Sequence, residues 1–147
     1  MSINTCSGAI SFLKSLGNDS SAFYQHVAQK HEKDKDVFLT YAKENSNYVT
    51  QIERAYFGVI TDAIEGCFAF DIDQEQYQFT THIEEGASYS EVLRRALTME
   101  KKIIECYLVA AEQSQYLMAD IPRAFKLVVK KRNDRIEKLQ SLLEVTK

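Results

Sequence analysis

The sequence predicts an all-α protein, a single four-helix bundle domain, and three observations support this fold class. One Pro and five Gly in 147 residues are few, as long uninterrupted helices require. Four stretches carry apolar residues at the spacing of an amphipathic helix. One long interruption separates the second stretch from the third. Together these features predict two helical hairpins joined by a crossover.

The first hairpin is predicted to contain helices over residues 9–32 and 34–64. The apolar stripe of the first helix runs from Ile10 to Val27. Residues 17–20 read Gly-Asn-Asp-Ser, and because Gly weakens a helix while the other three favour caps, we expect a kinked or weakened helix there. The link to the second helix is short and charged, which predicts an antiparallel pair.

The helical periodicity lapses over residues 65–88, which are predicted to form the crossover, with a short helix within it. Such a crossover would join parallel neighbouring helices. Ser88 and Glu91 have the spacing of a capping box, so the third helix is predicted over residues 89–117. A proline fits only the first turn of the fourth helix, predicted over residues 121–145.

Composition and charge exclude several classes of partner. The formal net charge is −3, which favours neither nucleic acid nor an anionic membrane. The fourth helix is rich in Lys and Arg, but acidic residues dilute this stripe and we expect a solvated face. Three widely spaced cysteines indicate neither a disulfide framework nor a zinc site. No run approaches the roughly 20 apolar residues of a membrane span, so we expect a cytoplasmic protein.

One acidic residue, Glu100, interrupts the apolar stripe of the third helix. At helical spacing it lies on one face with Leu93, Ala96, Ile103 and Tyr107. An inward carboxylate must be paired, protonated or bound to a metal. Glu100 is therefore the first candidate for a functional residue.

The two predicted hairpins align with each other. One constant shift places Tyr24 on Tyr107, and a slightly larger shift places Phe38 on Phe125. The larger shift also places Asn45 on Arg132 and Tyr48 on Arg135. Because the phase of the helices is kept throughout, we interpret the pattern as an internal duplication.

With this architecture, and with Glu100 followed by Tyr107 and Ala110-Ala111 on the same helix, the chain resembles the rubrerythrin-like branch of the ferritin-like superfamily over nearly its whole length. In that family, helices one and three each supply a Glu, and helices two and four each supply a Glu-x-x-His pair. Together these ligands bind two irons or manganeses. The resemblance implies a ferritin-like bundle and, where the ligands are kept, a di-metal oxidoreductase or peroxidase.

Most positions that match the family's ligands here are unsuited to metal. They are Gly17 on helix one, Asn45 and Tyr48 on helix two, Glu100 on helix three, and Arg132 and Arg135 on helix four. Only Glu100 has the chemistry of a ligand, and two guanidinium groups would repel cations. We expect no metal, cofactor or catalytic residue. A shifted alignment stays open, with Glu44 in place of Asn45 or with Asn133 and Asp134 near the site, although neither restores a Glu-x-x-His pair.

We expect a polar cluster where the family binds metals. In this hypothesis Glu100 accepts hydrogen bonds from Arg132 or Arg135, and Asn45 and Tyr48 complete the network. The alternative is that both arginines extend to the surface from the edge of their stripe. Buried phenol hydroxyls would find hydrogen-bond partners in the same cluster. These phenols belong to Tyr24, Tyr41, Tyr48 and Tyr107.

The crossover carries two further candidate features. Its aromatic residues predict an apolar patch for self-association. They are Phe68, Phe70, Tyr77 and Phe79. Cys67 is expected to be more reactive than Cys106, which lies on the core stripe of the third helix.

The sequence therefore predicts a degenerate, metal-free ferritin-like protein with a structural or partner-binding role, as a homodimer or with a protein partner. The alternative is a di-iron or di-manganese oxidoreductase with shifted ligands. A third possibility is a carrier of an apolar ligand in the vacated metal site, which would require a cavity between the helices.

Overall fold

The structure, a computed structural model, describes residues 2–59, 70–115 and 120–146. Four α-helices form the bundle in this part of the chain. They are α1 (Cys6–Lys30), α2 (Lys35–Val59), α3 (Tyr89–Gln113) and α4 (Asp120–Thr146). The predicted all-α class and four-helix bundle are confirmed.

Helix α1 runs without a break through residues 17–20. It begins earlier than predicted because the Thr5 side chain caps it, accepting a hydrogen bond from the Gly8 N–H at 3.1 Å. Ser88 caps α3 in the same way, accepting from the Glu91 N–H at 3.1 Å. Two predicted helix ends, residues 60–64 and 116–117, lie outside the described residues.

The helices pack as two antiparallel hairpins, α1 with α2 and α3 with α4. The hairpins meet through α2 against α4 and α1 against α3. Arg132 contacts Asn45 while Arg135 contacts Tyr41, so α2 and α4 are antiparallel. It follows that α2 and α3 run parallel, as a crossover requires. They lie diagonally across the bundle, however, and the expectation that they are neighbours is wrong.

The crossover is tied to the N-terminal segment by a pair of short strands and to α3 by a side chain. Strand β1 (Ser2–Ile3) pairs antiparallel with strand β2 (Ile72–Asp73), and a 3-10 helix follows at Gln74–Tyr77. The Gln113 side chain bonds the backbone N–H and C=O of Asp71 at 2.9 and 3.0 Å. These contacts fix the described crossover residues against α3.

The aromatic patch predicted for the crossover is wrong where the structure describes it. Phe70 and Tyr77 are buried in the core, and Phe79 packs partly against it. Burial is favourable because each ring removes a large apolar area from water. Phe68 and Cys67 lie outside the described residues.

Equivalent contacts recur in the two hairpins. The ring centroids of Tyr24 and Phe38 are 6.1 Å apart, and those of Tyr107 and Phe125 are also 6.1 Å apart. The ring planes differ, at 16° and 72°. The centroid distances agree with the repeat predicted from the sequence.

Candidate functional site

The carboxylate of Glu100 lies fully buried in the centre of the bundle. Arg132 Nη1 donates to its Oε1 and, at 3.0 Å, to its Oε2. Arg135 Nη1 lies 3.5 Å from Glu100 Oε1. Both arginines are buried, so neither extends to the surface as the alternative hypothesis required.

Asn45 connects the two guanidinium groups. Its Oδ1 accepts from Arg132 Nη2 at 2.8 Å and from Arg135 Nη1 at 3.2 Å. Its Nδ2 donates to Ser21 Oγ at 3.1 Å, and Ser21 in turn donates to the Ala42 carbonyl at 2.7 Å. The network therefore reaches from α4 through α2 to α1. Ser21 carried no signal in the sequence.

The outer side of Arg135 is held by α2. Its Nη2 donates to the Tyr41 carbonyl at 2.8 Å and lies 3.5 Å from Glu44 Oε1. The buried charges comprise two guanidinium groups against the single carboxylate of Glu100. Glu44, whose side chain is 42% exposed, supplies the second negative charge from the rim. The sequence indicated Glu44 only as a metal ligand in a shifted register.

Four tyrosine rings surround the guanidinium groups. The Arg135 Cζ lies 4.6 Å from the ring centroid of Tyr41 and 4.9 Å from that of Tyr48, and the Arg132 Cζ lies 5.2 Å from Tyr48. Tyr48 thus joins the cluster through its ring face, where a cation is attracted by the π electrons. The complete cage consists of Tyr24, Tyr41, Tyr48 and Tyr107.

Helix geometry explains why these residues meet. Residues three or four apart on a helix share a face, which aligns Arg132 with Arg135 on α4 and Tyr41 with Asn45 on α2. The antiparallel packing then brings the two pairs together in reverse order. Glu100 approaches from α3, and the polar cluster of Asn45, Tyr48, Glu100, Arg132 and Arg135 forms at the centre.

The electrostatics of the cluster favour charged arginines and neutral phenols. Burial acts to lower the pKa of Arg135, but Glu100 and the nearby phenols raise it above its usual value. Burial, followed by the negative charge of Glu100, raises the pKa of Tyr24 well above its usual value. Burial also raises the pKa of Tyr107 to about 12. The phenols therefore stay protonated at physiological pH.

The expectation that every buried phenol hydroxyl is paired is wrong. The hydroxyls of Tyr24 and Tyr107 are buried without a hydrogen-bond partner within the described residues. The same holds for the Nε atoms of Arg132 and Arg135. The rings rather than the hydroxyls of these tyrosines contact the guanidinium groups, because the guanidinium N–H groups are directed at Glu100, Asn45 and the α2 backbone.

The donor set does not fit two metal ions. Both oxygens of Glu100 are bonded by a guanidinium, and Asn45 Oδ1 accepts from two. Gly17 has no side chain to offer as a ligand, and a Cβ built there would make an ordinary contact with Val49 at 3.5 Å. No cluster of three or more His, Cys, Asp or Glu with the arrangement of a metal site occurs among the residues that the structure describes.

The shifted registers do not restore a site either. Asn133 and Asp134 are exposed on α4, and Asp134 lines a groove outside the cluster rather than its interior. Glu44 points to Arg135 at the rim rather than into the bundle. Neither position brings a second carboxylate to the buried Glu100.

A polar groove of about 510 Å³ lies between α2 and α4, directly outside the cluster. Arg135 forms part of its wall, together with Tyr41 and Tyr48. Three cations and two carboxylates line it, so the two signs nearly balance and only one positive charge is in excess. The groove could not be predicted from the sequence, because it depends on how α2 and α4, which are distant in sequence, pack against each other.

The cysteines offer no reactive thiol in the described part of the chain. Cys6 and Cys106 are both buried. Burial raises the pKa of Cys106 to about 12, so it stays a thiol, the less nucleophilic form.

Comparisons of the chain with protein-family models, with curated proteins and with solved structures found no match. Among the described helices, none combines the length and the apolar character that crossing a bilayer requires. The geometry of the polar cluster is therefore the basis for any functional inference.

Proposed function

We propose that this protein is a degenerate, metal-free member of the rubrerythrin-like proteins, in which the polar cluster has replaced the di-metal site. Its role in this proposal is structural or partner-binding, and it catalyses no reaction. The observation that carries the proposal is the pairing of Glu100 with Arg132, because a guanidinium that bonds both carboxylate oxygens neutralises their charge and repels a cation.

The charge balance supports the same proposal. Two guanidinium groups in the bundle centre repel a dication, and expelling Arg132 from the core would break its buried pair with Glu100. Removing one member of a buried ion pair typically costs about 3–5 kcal/mol. Metal binding at Glu100 would have to overcome that penalty.

The test is metal content by elemental mass spectrometry, on protein purified without chelator and again after anaerobic incubation with ferrous iron. The proposal expects substoichiometric metal that Glu100→Gln leaves unchanged. About two irons or manganeses per chain, lost in Glu100→Gln, would revive the di-metal oxidoreductase with shifted ligands.

We also propose that the protein acts as a homodimer. Because Phe70 and Tyr77 are buried, the apolar surface must lie elsewhere, and Phe57 on α2 has 66% of its surface exposed. Sedimentation velocity should show a dimer that Phe57→Ser weakens and that Thr50→Ala, an exposed position on the same helix, does not. A monomer at all concentrations would contradict the proposal.

A further inference from the structure

A second pocket lies between α3 and the crossover and has a volume of about 290 Å³. It shares no lining residue with the groove outside the polar cluster. Its base is apolar, formed by the buried side chains of Phe23 from α1 and Met99 from α3. Phe79 of the crossover closes one side and is itself only partly buried. Because Phe23 and Met99 are almost fully buried, the apolar surface that stays accessible in the pocket belongs to its other lining residues, Phe79 among them.

Three cations and no carboxylate line this pocket. They are Arg94, Arg95 and Lys102, all on α3. Glu84 pairs with Arg95 at 3.3 Å from outside the lining, which leaves an excess of positive charge. The whole chain carries a net charge of −3, so this local excess contrasts with the rest of the molecule.

Two of the cations are held in place by the crossover. Lys102 Nζ donates to the Gln78 carbonyl at 2.9 Å, and Arg95 Nη2 donates to the Thr80 carbonyl at 3.2 Å. The Arg95 guanidinium also lies 5.5 Å from the ring centroid of Phe23. The position of the positive rim is thereby fixed relative to the apolar base.

Arg94 differs from the other two cations. Its side chain is exposed and forms no ion pair with any residue that the structure describes. It therefore keeps its donors available for a ligand. A guanidinium is well suited to a carboxylate, which it binds through two parallel hydrogen bonds.

We propose that this pocket binds a small amphipathic anion, with its apolar body against Phe79, above the buried Phe23 and Met99, and its carboxylate at Arg94. Charge complementarity selects an anion over a neutral apolar compound. The volume of about 290 Å³ is just below the usual range for ligand pockets, about 300–1,000 Å³, and matches a compound with a short chain or a single ring. This proposal does not depend on the fate of the metal site.

The experiment is a titration of uniformly ¹⁵N-labelled protein with octanoate, followed by amide chemical shifts. We expect saturable shifts at Phe79, Thr80 and Met99. Octanol, which has the same body without the charge, should bind about tenfold more weakly, and acetate, which has the charge without the body, should give no saturation at these amides.

Variants then test separately where the carboxylate of octanoate binds and where its apolar chain binds. Arg94→Glu should weaken octanoate binding about tenfold, since it removes one exposed charge interaction and adds a repulsive one. Lys130→Glu, an exposed position on α4 with the same change of net charge, should have no effect. Thr98→Trp places a large ring in the pocket and should abolish binding. The dispersion of the amide signals of this variant shows whether the chain is still folded.

Three results would overturn the proposal. The first is the absence of saturable shifts up to about 10 mM octanoate, an affinity too weak for a specific site. The second is equal binding of octanol and octanoate, which would show that the negative charge of the ligand does not contribute to binding. The third is equal weakening by Arg94→Glu and Lys130→Glu, which would make the effect one of net charge.

Discussion

At the scale of single residues, the core of this bundle is unusual in holding two arginines that share one buried carboxylate. Each guanidinium has several partners, and Asn45 bonds both. Such a network is stable only when nearly all members are satisfied, because the low dielectric that strengthens a paired charge also penalises an unpaired one. Glu100 is the member whose removal disturbs the others most.

We predict that Glu100→Gln lowers the free energy of unfolding by about 3–5 kcal/mol, since it leaves Arg132 and Arg135 buried with Glu44 as their remaining negative charge. Chemical denaturation monitored by circular dichroism measures the change. Glu105→Gln, an exposed position on the same helix, is the control and should change the value by less than about 0.5 kcal/mol. Equal, small effects of both substitutions would show that the buried charge is not structural.

The unpaired hydroxyl of Tyr107 leads to a prediction of the opposite sign. Tyr107→Phe removes a buried polar atom that has no partner, so stability at pH 7 should stay the same or rise by about 1 kcal/mol. A loss of more than about 1 kcal/mol would show that a bound water or another group pairs with this hydroxyl.

Tyr107 also makes the free energy of unfolding depend on pH in alkaline solution. Its pKa in the folded protein is about 12, above the value of about 10 in an unfolded chain. The folded state therefore holds the proton more tightly, and the stabilisation is complete below pH 10 and decreases as the pH rises towards 12. At pH 11 the wild type should lose about 1.4 kcal/mol through this residue, and Tyr107→Phe should not lose that part.

At the scale of the helices, Gly17 and Gly8 of α1 form a matched pair. A Cβ at position 17 would lie 3.5 Å from Val49, an ordinary contact, whereas at position 8 it would lie 2.9 Å from the Thr5 hydroxyl. Thr5 is the cap of α1, so a side chain at position 8 disturbs it.

We predict that Gly17→Ala raises the free energy of unfolding by about 0.5–1 kcal/mol, the usual gain of Ala over Gly inside a helix. Gly8→Ala should gain less or destabilise the protein, because the Thr5 side chain must move. Urea denaturation of both variants tests this. Destabilisation by Gly17→Ala would mean that α1 and α2 approach more closely than the structure has them.

At the scale of the whole molecule, the part that could be predicted is the part governed by helical periodicity. The 3.6-residue periodicity predicted all four helices. It also placed Asn45, Glu100, Arg132 and Arg135 on the inward faces of their helices, and the structure has these residues buried. The strands of two residues each could not be predicted, because so short an element has no periodicity. The burial of Phe70 and Tyr77 likewise depends on how the crossover packs on α3, which is a tertiary contact.

The repeat predicted from the sequence has a counterpart at the bundle centre. Asn45 and Arg132 occupy equivalent positions of the two hairpins and bond each other at 2.8 Å. Tyr48 and Arg135 are also equivalent, and their ring and guanidinium lie 4.9 Å apart. Equivalent residues meet in this way when an approximate twofold axis passes between α2 and α4. The side chains at these positions differ, so the polar cluster itself is asymmetric.

The central claim is that Glu100 and Arg132 are partners of each other. The most direct test is a double-mutant cycle with Glu100→Leu, Arg132→Leu and the double variant, measured by denaturation in buffer that contains a chelator. Each single change removes one member of the buried pair and leaves the other with weaker partners, which for Glu100 is Arg135 at 3.5 Å. The double change removes both charges of the pair. We predict a coupling free energy of about 2 kcal/mol, with the double variant more stable than the sum of the single effects implies. Additive effects would contradict the claim and would leave the carboxylate of Glu100 available for another ligand.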